Sequence, residues 1–249
     1  MNIDHDPGVI LVDKPAGKTS FAMVRAVRKA CGIKKVGHAG TLDPFATGLL
    51  VICIGRPATR LIGGLMEGSK EYLATVVLGK VSTTHDPEGH ISDGEPADSI
   101  DDDLIESVMA RFRGEILQTP PHYSAVKYKG KPLYHYARKG VHVEKEPRAV
   151  TIQTLEWGRS RSVGEVRTAA LDLRIVCSKG TYIRSLAADM GRALGCGAYL
   201  DSLRRTVSGF FTVSEAIPGS EFYGKRAAEL VRENVIPLEK VQNLLQLSK

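Results

Sequence analysis

The sequence predicts an α+β fold, a mixed, largely antiparallel central sheet flanked by helices, and three observations carry that prediction. Apolar or alternating runs of strand length recur at residues 9–12, 49–54, 72–78, 150–157 and 169–177. Amphipathic helical periods stand beside some of these strands and not others. The two kinds of element therefore mix without the regular β-α-β alternation of a doubly wound parallel sheet.

Along the chain, Val9-Ile10-Leu11-Val12 reads as a buried strand broken by Pro15-Ala16-Gly17. Thr19 or Ser20 caps a helix running to about Cys31, with Gly32 as its stop. Phe21, Val24, Val27 and Cys31 share the inward face of that helix, and Arg25, Arg28 and Lys29 lie off it. Residues 37–48 form a loop ahead of Leu49-Leu50-Val51-Ile52-Cys53-Ile54, a central strand buried on both sides. Residues 72–78 are a further strand, and the acidic stretch after it is loop first, then helix over about 102–112. Residues 118–140, rich in Pro, Tyr, His and Lys, keep no clean period and read as an extended insertion. Leu171, Leu173, Ile175 and Cys177 alternate with Asp172, Arg174 and Val176, as in a half-buried strand. Ile183, Leu186, Ala187, Met190 and Leu194 define an amphipathic helix stopped near Gly195 or Gly197, and Pro237 interrupts a last helical pattern over 225–247.

Composition narrows the function classes. Of 249 residues, 43% are apolar and 25% charged, which argues against a disordered chain and leaves ample length for a core. The longest apolar run, 49–54, is too short to span a bilayer. The N-terminal residues are acidic and polar, unlike a signal or transit peptide, and the 4 cysteines include no C-x-x-C pair. A cytoplasmic location with reduced thiols is the expectation. Lys plus Arg number 34 against 28 Asp plus Glu, and nine of those acids lie in residues 81–110, which hold no Lys or Arg. The remainder carries 34 bases against the other 19 acids: a basic body suited to a polyanion, nucleic acid above all, with the acidic segment turned elsewhere.

Several motifs invite a function and fail on spacing. Residues 9–12 followed by Gly17-Lys18-Thr19 and a helix look like a phosphate-binding loop, but Val12 stands where its first glycine would have to be. His85, Asp86 and His90 surround a turn-forming Asp86-Pro87-Glu88-Gly89 and lack an H-E-x-x-H helix, so no metal site is assigned. Gly195-Cys196-Gly197 has no G-x-G-x-x-G spacing, and no G-x-S-x-G elbow occurs.

The segment Gly37-His38-Ala39-Gly40-Thr41-Leu42-Asp43-Pro44-Phe45-Ala46-Thr47-Gly48 differs from these. Three glycines and a proline fix a tight loop before a buried strand and present one histidine and one carboxylate. A connecting loop with an Asx-turn at Asp43-Pro44 has the same pattern. The segment resembles the catalytic motif of the TruB family of tRNA pseudouridine synthases, with Asp43 at the catalytic aspartate. Asp13-Lys14-Pro15-Ala16-Gly17 is similar to that family's N-terminal K-P motif, and Ser69-Lys70-Glu71-Tyr72 to the segment supplying the active-site tyrosine. Gly79, Thr83-Thr84-His85-Asp86 and Gly89 match the turn that follows. Gln118-Thr119-Pro120-Pro121-His122-Tyr123-Ser124-Ala125-Val126-Lys127, with Leu133-Tyr134 and Tyr136-Ala137-Arg138, matches the family's insertion. Cys177-Ser178-Lys179-Gly180-Thr181-Tyr182-Ile183-Arg184 matches the motif of the active-site arginine, and Leu203-Arg204-Arg205-Thr206 closes the set. The matches keep their order over most of the chain.

The resemblance implies a pseudouridine synthase fold and isomerisation of uridine 55 in the T-loop of tRNA. The route is base flipping, then aspartate-dependent cleavage and re-formation of the glycosidic bond, without cofactor or metal. Cleavage builds positive charge on the ribose, and a carboxylate beside it can stabilise that charge, attack it or take a proton. Asp43 is the candidate for all three roles, and Arg184 would supply the charge that keeps it ionised. His38 would fill the gap left by the flipped base. Tyr72 and Tyr182 would hold the uracil, with Leu203 over its apolar side. Lys14, Lys127, Lys129, Lys131, Arg204 and Arg205 are candidate phosphate contacts.

The expected organisation is a catalytic domain over 1–215, with the insertion around 118–148, and a short helical tail over 216–249 in place of the PUA domain usual in bacterial members. The expected partner is the tRNA T-arm stem-loop, bound by a monomer with no membrane and no obligatory protein partner. The alternative is a non-catalytic RNA-binding or RNA-folding protein using the same surface; binding alone does not need the carboxylate. A nucleoside hydrolase would need a second catalytic carboxylate, and none is evident.

Overall fold

The computed structural model describes residues 7–121, 127–128, 130–132, 136, 141, 143, 145–160 and 169–247. The chain divides into two compact units, Met1–Tyr72 with Leu203–Lys249, and Leu73–Ser202. The boundary expected at 215/216 coincides with neither division. Nearly half of the insertion expected around 118–148 lies outside the described residues, including His122, Tyr123, Leu133, Tyr134 and Arg138.

In the first unit the strand Gly8–Lys14 runs antiparallel to Thr47–Ile54, in register from Gly8↔Ile54 to Lys14↔Gly48. Both strands are apolar throughout because both faces are covered, and alternation sorts their side chains between two cores. Ile10, Val12, Leu50, Ile52 and Ile54 pack on Met23, Val24 and Val27 of the helix Ser20–Cys31. Val9, Leu11, Leu49, Val51 and Cys53 face the other way, onto Ala39, Ala58, Leu65 and Phe211. The helix begins and ends on the expected signals. Thr19 accepts from the Ala22 N–H at 3.0 Å, and Gly32 takes the left-handed conformation, φ 70°, as its N–H closes on the Arg28 carbonyl. Phe21 departs from expectation: it is 56% exposed, with the Arg25 guanidinium over its ring.

The expected helical tail is two helices, Ala227–Asn234 and Leu238–Gln246, built into these same cores. Ala227 and Val231 join the first and Val241 the second. Pro237 interrupts the helical pattern as expected, and there Ile236–Pro237 pairs antiparallel with Gly8 and Val9. Ile217–Pro218 pairs parallel with Val12 and Asp13. The expected loop over 37–48 is shorter, because Val36–His38 pairs with Thr47–Ile54.

In the second unit residues 73–78 of the strand Lys70–Leu78, then Ala170–Cys177, Arg148–Arg159 and Gly114–Gln118 are neighbours in that order, the last three antiparallel. The helices Asp102–Arg111 and Ile183–Ala193 also belong to it. Asp101 caps the first of these by accepting from the Leu104 N–H at 2.7 Å. Ala198–Ser208 is a strand that no sequence pattern announced; from Leu203 it belongs to the first unit, where Arg204 and Arg205 pair parallel with Thr47 and Gly48. The α+β class, with a mostly antiparallel sheet and flanking helices, stands. All four cysteines are buried, and no helix among the described residues is long and apolar enough to cross a membrane.

Candidate active site

Asp43 is half-buried on the loop between Val36–His38 and Thr47–Ile54. Three buried polar side chains hold that loop by its backbone. Lys14 has 0% exposure, and its Nζ donates to the carbonyls of Pro15 at 2.9 Å, Lys18 at 2.7 Å and Pro44 at 3.1 Å. Ser20 Oγ donates to the Leu42 carbonyl at 3.0 Å and accepts from the Leu42 N–H at 2.9 Å. Arg205, 1% exposed, donates from Nε to the Leu49 carbonyl at 2.8 Å. Its Nη1 reaches the Thr41 carbonyl at 3.4 Å and its Nη2 the Gly40 carbonyl at 3.1 Å. Leu42 and Pro44, on either side of Asp43, are thus both anchored.

A buried cation costs several kcal/mol unless polar groups replace its water. Here carbonyl dipoles take part in that replacement, and those of Gly40, Thr41 and Pro44 belong to the segment being held. The phosphate contacts expected of Lys14 and Arg205 are therefore corrected: burial removes both from the surface and makes them framework of the loop. Arg204 forms a two-pronged pair with Asp13, at 3.0 and 2.7 Å, and stays partly exposed. The side chains of Lys127, Lys129 and Lys131 lie outside the described residues.

His38 opens the loop, opposite Ile52 in register. Burial, then the Arg205 charge, push its pKa below the ordinary histidine value, against a smaller opposing bond with the Gly40 backbone. The imidazole is neutral at pH 7, and its Nδ1 is buried without a hydrogen-bond partner among the described residues. Tyr72 is buried in Lys70–Leu78. The segment before it is fixed by Lys70 Nζ, donating to the carbonyls of Met66 and Gly68, and by Thr206 Oγ1, donating to Glu71 Oε1 at 2.8 Å. Leu203 is buried, and its carbonyl accepts from Thr47 Oγ1 at 3.4 Å.

Tyr182 and Arg184 belong to the second unit. Gln118 grips Tyr182 by its backbone, accepting from the N–H at 2.7 Å and donating to the carbonyl at 3.0 Å, at the start of Ile183–Ala193. Arg184 is 3% exposed; its Nη1 lies 3.1 Å from Asp86 Oδ2 and donates to the Thr84 carbonyl at 3.1 Å. Asp86, expected on the solvated acidic segment, is 2% exposed and is this arginine's partner. It sits in the expected turn, where Ser82 Oγ donates to its carbonyl at 2.6 Å and the Glu88 N–H to its Oδ1 at 3.0 Å. Next to it His85 takes φ 63°, a left-handed conformation uncommon outside glycine.

The acidic segment is also less segregated than its sequence implies. Asp93 pairs with Lys80, Asp102 with Arg159 and Glu106 with Arg113, all within the second unit. That unit holds 17 Lys plus Arg and 17 Asp plus Glu, whereas the first holds 17 and 11, so the formal +6 resides wholly in the unit that carries Asp43. Ser20, Asp86, Gln118 and the inward turn of Arg205 are the features that sequence reasoning missed. Asp86 and Gln118 lay inside matched segments, but nothing in their spacing marked them as partners. Among the described residues no group of three His, Cys, Asp or Glu side chains is placed to hold a metal ion.

Residues 28–183 match the model of the TruB family pseudouridylate synthase N-terminal domain, and residues 184–242 that of the tRNA pseudouridylate synthase B C-terminal domain. A relative from Desulfotalea psychrophila named tRNA pseudouridine synthase B is 48% identical over 98% of this chain and 98% of its own. One of the same name from Protochlamydia amoebophila is 44% identical over 88% of this chain and 80% of its own. A chain from a crystal structure of a Cbf5-Nop10-Gar1 complex superposes with a TM-score of 0.67 at 32% identity, covering 94% of this chain, which spans 60% of that one. With the family's two domain models in succession over the anchored Asp43 loop and the Arg184 turn, the chain belongs to the TruB family of pseudouridylate synthases.

Proposed function

We propose that this chain isomerises uridine to pseudouridine at position 55 in the T-loop of tRNA, acting as a monomer on the T-arm stem-loop without a cofactor. The observation that carries the reading is the Asp43 loop, whose backbone is anchored on both sides of a half-buried carboxylate. A group that must meet the ribose as positive charge develops there gains from being fixed in advance. Asp43 supplies that carboxylate. His38, neutral at the mouth of the same loop, suits a ring that enters the base stack without carrying charge into it. Tyr72, Tyr182 and Leu203 provide the rings and the apolar surface for the flipped uracil, and Arg184, set by Asp86, provides the cation.

Incubation with an unmodified tRNA transcript, followed by pseudouridine mapping, tests the reading. We expect conversion at one T-loop uridine. Asp43→Asn keeps the side chain's size and removes its charge, and should lower the rate by about 10⁴ or more with RNA affinity unchanged. An Asn variant that converts uridine at a comparable rate removes Asp43 from the chemistry. RNA binding without conversion by the unsubstituted protein favours the non-catalytic alternative.

A further inference from the structure

With Lys14 and Arg205 inside the protein, the positive charge of the Asp43 unit has to be read elsewhere. Residues 14–42 contain seven Lys plus Arg and no Asp or Glu, an acid-free run that ends at Asp43 itself. Lys18, Arg25, Lys29, Lys34 and Lys35 are exposed, in and beside the helix Ser20–Cys31. Among the described residues none of these five pairs with a carboxylate. Other exposed arginines are engaged: Arg113, Arg159, Arg174, Arg192 and Arg226 each have an acidic partner.

Phe21, Arg25 and Lys29 fall four residues apart and so line one stripe of the helix surface, and Lys18 lies just before the Thr19 cap. Two exposed aromatic rings belong to it. The Arg25 guanidinium stands 5.5 Å from the centre of the Phe21 ring, and the Lys18 ammonium 5.6 Å from that of Tyr223, both rings 56% exposed. The stripe starts where the catalytic loop is anchored. The Lys18 carbonyl shares the Lys14 ammonium with Pro44, and Ser20 holds Leu42. At a rise of ~1.5 Å per residue, residues 20–29 extend about 14 Å from that point, roughly four steps of a nucleic acid strand at ~3.4 Å each.

We propose that this stripe is an RNA-contact surface, with Lys18, Arg25 and Lys29 taking successive backbone phosphates of the same RNA whose uridine reaches Asp43. Unpaired cations over aromatic faces give affinity with little sequence preference, as a footprint beside a single reacting base requires. The inference rests on the proposed function only in taking that RNA to be the substrate.

The test compares the full chain with Arg25→Gln/Lys29→Gln, Lys18→Gln and, as a control on an exposed lysine of another helix, Lys240→Gln. Each is assayed for binding of an unmodified tRNA transcript across a salt series and for kcat at saturating RNA. The double variant should weaken binding by about tenfold at 0.1 M salt and flatten the slope of log K against log salt by ~0.7–0.9 for each contact removed. Its kcat should stay within about twofold, and Lys240→Gln should change nothing. Unchanged affinity and slope in the stripe variants overturn the proposal, as does a loss of kcat with affinity intact. The two readings fail separately. Unaltered binding by variants of a protein that converts uridine normally refutes the surface alone. Absence of conversion by the unsubstituted protein refutes the reaction while leaving the binding comparison readable.

Discussion

His38 shows how the residues under the Asp43 loop constrain one another. Its ring is partly buried beside the Arg205 charge, and both effects disfavour the protonated form. The folded chain therefore binds this proton more weakly than the unfolded chain, whose histidine titrates near 6.5. Above that value both states are neutral and the contribution to stability is fully present. As pH falls below it, the unfolded chain is protonated first, and stability is lost until the folded state also takes the proton. His85, lowered by burial and by Arg184, acts in the same direction. The free energy of unfolding in urea should accordingly drop between pH 7.5 and 5.5, and His38→Gln should flatten that decline. A decline equally steep in the variant would mean that other groups carry it.

Two strands meet closely at the start of Thr47–Ile54, where Gly48 (φ 100°) passes Arg205. A Cβ there would lie 2.3 Å from the Arg205 carbonyl oxygen, so Gly48→Ala collides with backbone that cannot yield. Gly17 is also left-handed, at φ 74°, but has no heavy atom within 4 Å of an added Cβ. Gly17→Ala should cost about 1 kcal/mol, the conformational term alone, and Gly48→Ala at least about 3 kcal/mol. Thermal unfolding separates them, since each kcal/mol moves Tm by roughly 2–4 °C in a chain of this size; equal shifts would refute the steric argument. The same crossing explains what the sequence made legible. The helix Ser20–Cys31 was readable from end to end because its cap, period and stop are local signals. Ala198–Ser208 was not, because Asp201, Arg204 and Arg205 break its alternation, and Arg205 turns inward only to meet carbonyls of a loop more than 150 residues earlier. Phe21 was misplaced because the helical period admits it on the core edge, and only the three-dimensional neighbourhood puts it beneath Arg25. Asp43 is half-buried on a loop without period, so no pattern singled it out; likeness to a known motif did.

Across the whole chain, one unit is continuous in sequence and the other is not. Leu73–Ser202 is one uninterrupted stretch, whereas the other unit is joined from two. Gly8 pairs with Pro237 and Val12 with Ile217, so the strand Gly8–Lys14 finds its edge partners more than 200 residues further along the chain. On a ribosome adding ~5–20 residues per second, the inner unit has the time and the residues to fold while its host is still half-written. Nascent chains arrested at increasing lengths should therefore gain protease resistance in two steps. The first comes when residue 202 clears the exit tunnel, and the second when residues 236 and 237 clear it and can reach the strand Gly8–Lys14. A single late step would show that the inner unit needs its host in order to fold. Under the two-step order, Arg205 arrives after the loop it secures has already been exposed, and the Asp43 loop takes its place only with the second step.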